Sequence, residues 1–227
     1  MNPNSSTVLR GELPKWISCY LSSSDAIKID AAVAAAEIKT SGEIVPVIVR
    51  RTVHLKPPAM KLSALFILLY CLFVETRLGF FIDAQEIFLL GLGFIVAAIL
   101  GPILVRSPRV RRLLMSKGNA AQLATLRAEV EFYRAGIGGT SGGTGILLFL
   151  ALEERQAVVL ADKGISSLLP TETWDGILAT MLKGLKSKNC SHGVIDAITQ
   201  CGDLLASHFP IQKNDVNELP NQLRIID

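Results

Sequence analysis

Charge is scarce in this sequence: only 19% of the residues are Asp, Glu, Lys or Arg, and the net charge is +3. So slight an excess leaves no basic footprint of the kind that follows a phosphate backbone, and nucleic acid is not expected as a partner. Cysteine is also sparse. Cys19, Cys71, Cys190 and Cys201 include no C-x-x-C pair. A chain of 227 residues has no need of a disulfide framework, so all four are expected as reduced thiols. The opening stretch through Trp16 is polar and lacks an apolar core segment, so no cleavable signal peptide is expected.

What the chain has instead is apolar surface. Hydrophobic residues make up 50% of it and the mean hydropathy is +0.41. Two runs dominate. The first is Ala59 to Val74, and the second, Ile87 to Val105, holds no charge at all. At about 1.5 Å per helical residue, the second run matches a hydrocarbon core of ~30 Å. The first is shorter, with Lys61 able to snorkel at one end and Glu75 and Arg77 marking the other. Gly91, Gly93, Ala97, Ala98 and Gly101 would let two helices approach closely. These features predict a two-helix transmembrane hairpin over 58–106. Basic residues flank it on one side: Arg50, Arg51, Lys56 and Lys61 before, and Arg106, Arg109, Arg111, Arg112 and Lys117 after. The positive-inside rule then gives a two-pass protein of a bacterial inner membrane with both termini cytoplasmic. Lys61, Arg106, Arg109, Arg111 and Arg112 would lie at the membrane surface against anionic headgroups.

The pieces on either side, 1–57 and 107–210, are each incomplete, and 211–227 reads as a polar tail with Leu219 to Ile226 able to dock. Ser24 or Asp25 can cap a helix from about Ala26 to Lys39. Glu43 to Val49 reads as a strand, which Pro46 places at an edge or makes irregular. A polar helix covers about Asn119 to Arg134. It is followed by the Gly-rich stretch Gly136–Gly145 and by Ile146–Leu150, a continuous apolar run typical of a strand buried on both faces. Glu153-Glu154-Arg155 turns the chain into a second strand, Gln156–Ala161, and Asp162-Lys163-Gly164 ends it. A helix starting at Thr171 or Thr173 runs to Lys183, and Ser191 starts another, Val194 to His208, stopped by Pro210. The order predicts an α/β fold split by an insertion, in which the Glu43 strand must pair with the later strands.

Several residues carry candidate chemistry. Glu43, Glu153 and Asp162 sit at strand ends and are the candidate metal ligands, Asp162 first, because ligands of open α/β sheets gather at strand C-termini. A hard cation, Ca²⁺ or Mg²⁺, would suit such carboxylates, whereas no resident cofactor is indicated. The Gly-rich stretch could cradle an anion, but it lacks the Gly-Lys-Ser/Thr of a P-loop and precedes a strand, so a plain connection is the simpler reading. Cys190 and His192 flank Ser191 at a helix start. A helix cap explains them without a nucleophile.

Four stretches resemble the TPM domain family: Glu37-Ile-Lys-Thr-Ser-Gly-Glu43, Phe132-Tyr-Arg-Ala-Gly136, Thr144 through Arg155, and Ala161-Asp-Lys-Gly164. The tail, with His208-Phe-Pro210 and Asn217-Glu-Leu-Pro220, is similar to the family's bacterial membrane branch. The resemblance implies a small central sheet flanked by helices. It further implies links to acid phosphatase activity, to calcium binding, and to assembly or repair of membrane complexes. The expected function is a membrane-anchored, non-enzymatic binding or assembly module whose partners are the lipid bilayer and a protein. The rival expectation is a divalent-cation-dependent phosphatase.

Overall fold

The computed structural model describes residues 13–52 and 117–227, together with scattered helical positions between 64 and 103. The chain divides into two compact units, Met1–Val53 with Ala120–Asp227, and His54–Asn119. The tail 211–227 therefore belongs to the first unit instead of standing apart from it.

Within that unit the first helix, α1 (Ser23–Glu37), starts where two side chains exchange bonds with the backbone. Ser22 Oγ accepts the Asp25 N–H at 3.2 Å, and Asp25 Oδ2 accepts the Ser22 N–H at 2.9 Å. This capping box satisfies amides that no carbonyl can reach. It starts the helix three residues before the expected Ala26. Ile29, Val33 and Ala36 recur at helical spacing and are buried. Strand β1 (Glu43–Val49) follows, then α2 (Lys117–Arg134), β2 (Gly145–Ala151) and β3 (Gln156–Ala161). The turn α3 (Lys163–Ser166), the helices α4 (Asp175–Lys186) and α5 (Cys190–His208), and the short strand β4 (Arg224–Ile226) complete the order.

The sheet runs β3-β2-β1-β4. β1 is parallel to both β2 and β4, whereas β3 is antiparallel to β2. Both faces are covered, which is why β1 and β2 are buried along their whole length. Ile44, Ile48, Ile146, Leu148 and Leu150 pack on the side of α1, α4 and α5. Val45, Val47, Leu147 and Phe149 pack with Ala124 and Ala128 of α2. The result is a three-layer helix–sheet–helix unit.

Pro46 was expected to put β1 at an edge or to make it locally irregular, and β1 is central. The hydrogen-bond directions reconcile the two. Glu43 N–H points to β2, bonding Thr144 O, whereas Ile44 N–H and Arg50 N–H point to the other side. Even-numbered residues therefore face β4. β4 pairs only with Val47–Val49, so the missing Pro46 N–H falls on an unpaired stretch of that side. The strand is interior by position and an edge locally.

The transmembrane expectation is corrected. Most of 58–106 lies outside the described residues. Positions described there are helical, and Leu68, Leu72, Ile95 and Ile99 among them are exposed. Among the described residues no helix is long and apolar enough to cross a membrane. The two with enough length, α2 and α5, carry Arg127, Glu129, Glu131 and Arg134, and Asp196 and Asp203. α5 spends its apolar side on the core. A span needs about 20 predominantly apolar residues. The multi-pass, inner-membrane placement with cytoplasmic termini is therefore not supported.

α4 and α5 touch through Gly184 and Gly193, where a Cβ on Gly184 would lie 2.5 Å from Gly193 Cα. Gly193→Ala should therefore lower unfolding free energy by about 1–3 kcal/mol, outweighing its gain in helix propensity. Gly176→Ala, on an exposed turn of α4 with open space around the new carbon, should instead be neutral or raise stability by up to ~1 kcal/mol. Urea unfolding of both variants checks the contrast.

Candidate functional site

The antiparallel run of β3 decides where the expected acids fall. Its C-terminal end lies beside the N-terminal ends of β1 and β2, so Asp162 is at the opposite edge from the one where parallel strands gather ligands. Asp162 and Glu43 share that edge, but Asp162 is occupied as the N-cap of α3, accepting the Lys163 N–H at 2.7 Å. Glu153 is at the far end, in the β2–β3 turn, where Arg50 Nε lies 3.1 Å away and also joins Asp227 to the group. The three expected ligands thus do not converge. Among the described residues no group of three or more His, Cys, Asp or Glu is placed to hold a metal ion. Lys61, Arg106, Arg109, Arg111 and Arg112, expected at a membrane surface, lie outside the described residues.

The Gly-rich stretch packs tightly. Gly143 has a φ of 61°, and a Cβ on Gly164 would lie 2.7 Å from the carbonyl oxygens of Gly142 and Gly143. The loop's exposed donors meet an anion belonging to the chain itself: Ser141 N–H and Oγ–H both donate to the Glu218 carboxylate, the hydroxyl at 2.7 Å. Cys190 is buried, and burial pushes its thiol up to about 12. It is therefore neutral and a poor nucleophile. Its neighbour His192 faces Asp196 one turn along α5.

A cavity does form at the edge that carries Glu43. It encloses about 280 Å³ between the end of α1, the start of β1 and the C-terminal segment, with Glu37, Glu43 and Asp215 beside Thr40, Asn217 and Asn221. Each part has a local cause. Thr40 Oγ donates to Phe209 O at 2.6 Å and accepts the Gly42 N–H at 3.0 Å, holding the turn from α1 to β1. Glu37, the last residue of α1, reaches forward so that Oε1 accepts the Ile44 N–H at 2.8 Å. Its Oε2 is buried with no hydrogen-bond partner among the described residues. Glu43 accepts the Glu218 N–H at 3.0 Å and the Leu219 N–H at 3.4 Å, one on each oxygen.

Burial sets the electrostatics. It raises the Glu37 carboxyl to about 7, against the Ile44 amide, and repulsion from Glu43 and Asp215 adds to the rise. Burial also raises Glu43, partly offset by the two amides it holds. These are the responses of carboxyl groups taken out of water beside like charges. Around the cavity mouth, Ile38 and Ile211 are 71% and 50% exposed, and Val216, between Asp215 and Asn217, is 69% exposed. The site is an acidic hollow with an apolar rim. Of these residues the sequence analysis singled out Glu43, as a metal ligand, and not Glu37, Asp215, Asn217 or Asn221. The available signal was that Glu37 and Glu43 bracket the Thr-Ser-Gly turn, which holds their side chains near one another.

Comparisons with known proteins agree with the fold. The TPM domain family matches residues 110–204, from the segment leading into α2 through most of α5. Among solved structures, the NMR structure of BA42 protein from the psychrophilic bacterium Bizionia argentinensis is similar, with a TM-score of 0.55 and 21% identity. That match covers 91% of this chain and 95% of the other. No curated protein matches the sequence.

Because both Glu43 oxygens act as acceptors, Glu43→Gln must turn a donor toward one of the tail amides. A loss of about 1–3 kcal/mol in unfolding free energy is expected. Calorimetric or urea unfolding at neutral pH checks it.

Proposed function

We propose that this TPM-type chain is a non-enzymatic binding module that holds a protein partner by a lysine side chain seated in the cavity between α1 and the C-terminal segment. The observation that carries the reading is the gathering of three carboxyl side chains, Glu37, Glu43 and Asp215, around one hollow whose described lining holds no basic residue. Carboxyl groups gathered in a partly desolvated hollow repel one another, and an incoming ammonium group offsets that repulsion and supplies charge-assisted donors. At about 280 Å³ the cavity suits one side chain, since sites for whole small molecules usually start near ~300 Å³ and run much larger. Exposed Ile38, Ile211 and Val216 supply the apolar contact that residues flanking the lysine would cover.

The acids expected to hold a catalytic cation have other occupations here. Glu43 holds the tail amides, Asp162 caps α3 and Glu153 meets Arg50. These roles favour binding over the phosphatase alternative.

The test is titration of the ¹⁵N-labelled full chain with acetyl-Leu-Lys-Leu-amide, and with the Glu analogue as control. The lysine peptide should shift the amides of Thr40, Gly42 and Asn217 saturably, with a Kd on the order of 1 mM for so small a ligand. Glu37→Gln should weaken it roughly tenfold, the scale of one lost charge-assisted bond. Equal shifts with both peptides, or none, contradict the proposal. So does hydrolysis of p-nitrophenyl phosphate that requires Ca²⁺ or Mg²⁺ and disappears in Asp162→Ala.

A further inference from the structure

The wall of the cavity opposite α1 is the C-terminal segment, and side chains from the body of the domain hold that segment down. Glu43 accepts the amides of Glu218 and Leu219, and Asp30 Oδ1 accepts the Leu223 N–H at 2.7 Å. The Glu218 carboxylate returns the grip by accepting from Ser141. Upstream, Ile211 N–H reaches Lys39 O, and downstream β4 pairs with β1 over three residues only. Between those two anchors, residues 212–223 are exposed for the most part. Apart from Leu219 and Leu223, which pack on the two apolar clusters, the segment is held by a few polar bonds, and such a segment opens locally at lower cost than the whole domain unfolds.

The charged groups facing one another across this contact are all acidic. Glu37, from α1, faces Glu43 of β1 and Asp215 of the C-terminal segment. Glu43 in turn faces Glu218 and Asp215. We propose that the C-terminal segment is a proton-operated latch over the cavity, closed while Glu37 holds its proton and loosened when Glu37 and Glu43 are both ionised. With Glu37 neutral, its buried Oε2 is a hydroxyl and Glu43 alone carries charge toward the segment. When Glu37 ionises, two carboxylates and Asp215 repel across a partly desolvated gap, and the mobile partner in that contact is the segment that bears Asp215. The same ionisation makes the hollow a better seat for a cation, so opening and charging of the site would coincide. In that respect the inference rests on the lysine-binding reading and supplies its regulation.

The sign follows from the direction of the Glu37 shift. Its folded-state value lies above the ordinary carboxyl value, near 7 against 4.5. The stabilisation is therefore fully present below about 4.5 and is lost as pH rises through about 7. The latch should loosen on the alkaline side of neutrality.

Amide hydrogen exchange of the free full-length chain tests this at pH 5.5 and pH 8, with rates corrected for intrinsic exchange. Protection of the Glu218 and Leu219 amides should fall about tenfold between the two pH values while β2 amides keep theirs. Glu37→Gln keeps an oxygen for the Ile44 amide and carries no charge, so it should hold high protection at both pH values. Asp215→Asn, which removes one facing charge without touching Glu37, should shrink the fall. Unchanged protection in the wild type, or the same fall in Glu37→Gln, would overturn the latch. No peptide is present in this experiment, so failure of lysine binding at fixed pH counts against the docking reading alone.

Discussion

Strand β1 is where distant stretches of chain become one structure. It pairs in parallel with β2, whose residues lie about a hundred positions later, and with β4 at the far C-terminus. Parallel strands cannot be joined by a tight turn, so the chain must leave the sheet and return between them. Five buried residues of β1, Ile44, Val45, Val47, Ile48 and Val49, supply apolar contact to both helical layers, and the long closure is repaid only when all of them are covered. Without β1 the hairpin of β2 and β3 would be an isolated two-stranded ribbon, marginal in water.

The site is a consequence of how β1 begins. Glu43 opens the strand with its own amide committed to the sheet and its carboxylate free to reach the C-terminal segment. Glu37, six positions earlier, closes the start of the same strand by taking the Ile44 amide. Pro46 leaves that side of β1 without a donor just before β4 starts, so nothing in the ladder demands that the preceding C-terminal segment run as strand over the cavity. It crosses instead as an irregular stretch, held by carboxylates. The placement of Glu37 and Glu43 and the cavity between them follow from one strand's need to finish its hydrogen bonding at an open end.

Much of the architecture could be read from residue pattern. The unbroken apolar run at Ile146–Leu150, the Glu153–Arg155 turn and the break at Asp162 gave the β2–β3 hairpin, and the need for Glu43–Val49 to pair gave the sheet. β4 was hidden because Arg224-Ile225-Ile226 is too short to show an alternation, and its docking was anticipated only as a tail contact. The cavity was hidden for a different reason. Its walls are separated by about 175 positions, as in the bond from Glu218 to Glu43, and a polar tail shows no periodicity that would aim it. Asp162 misled because a strand end was taken without its direction, and direction in a mixed sheet is set by pairing. The apolar middle of the chain suggested spans by its length, its lack of charge and its basic flanks; most of it lies outside the described residues, and among those no helix is long and apolar enough to cross a membrane.

The proposed lysine site and the proposed latch both turn on the ionisation of Glu37, whose carboxyl burial raises to about 7. The most direct measurement is the side-chain carboxyl ¹³C titration of Glu37 in the folded, unliganded protein, followed by NMR. A midpoint near 7, with a second, coupled inflection at Glu43, is the predicted result. A Glu37 midpoint at the ordinary carboxyl value near 4.5, independent of Glu43, would show a group in free contact with water and would contradict the account.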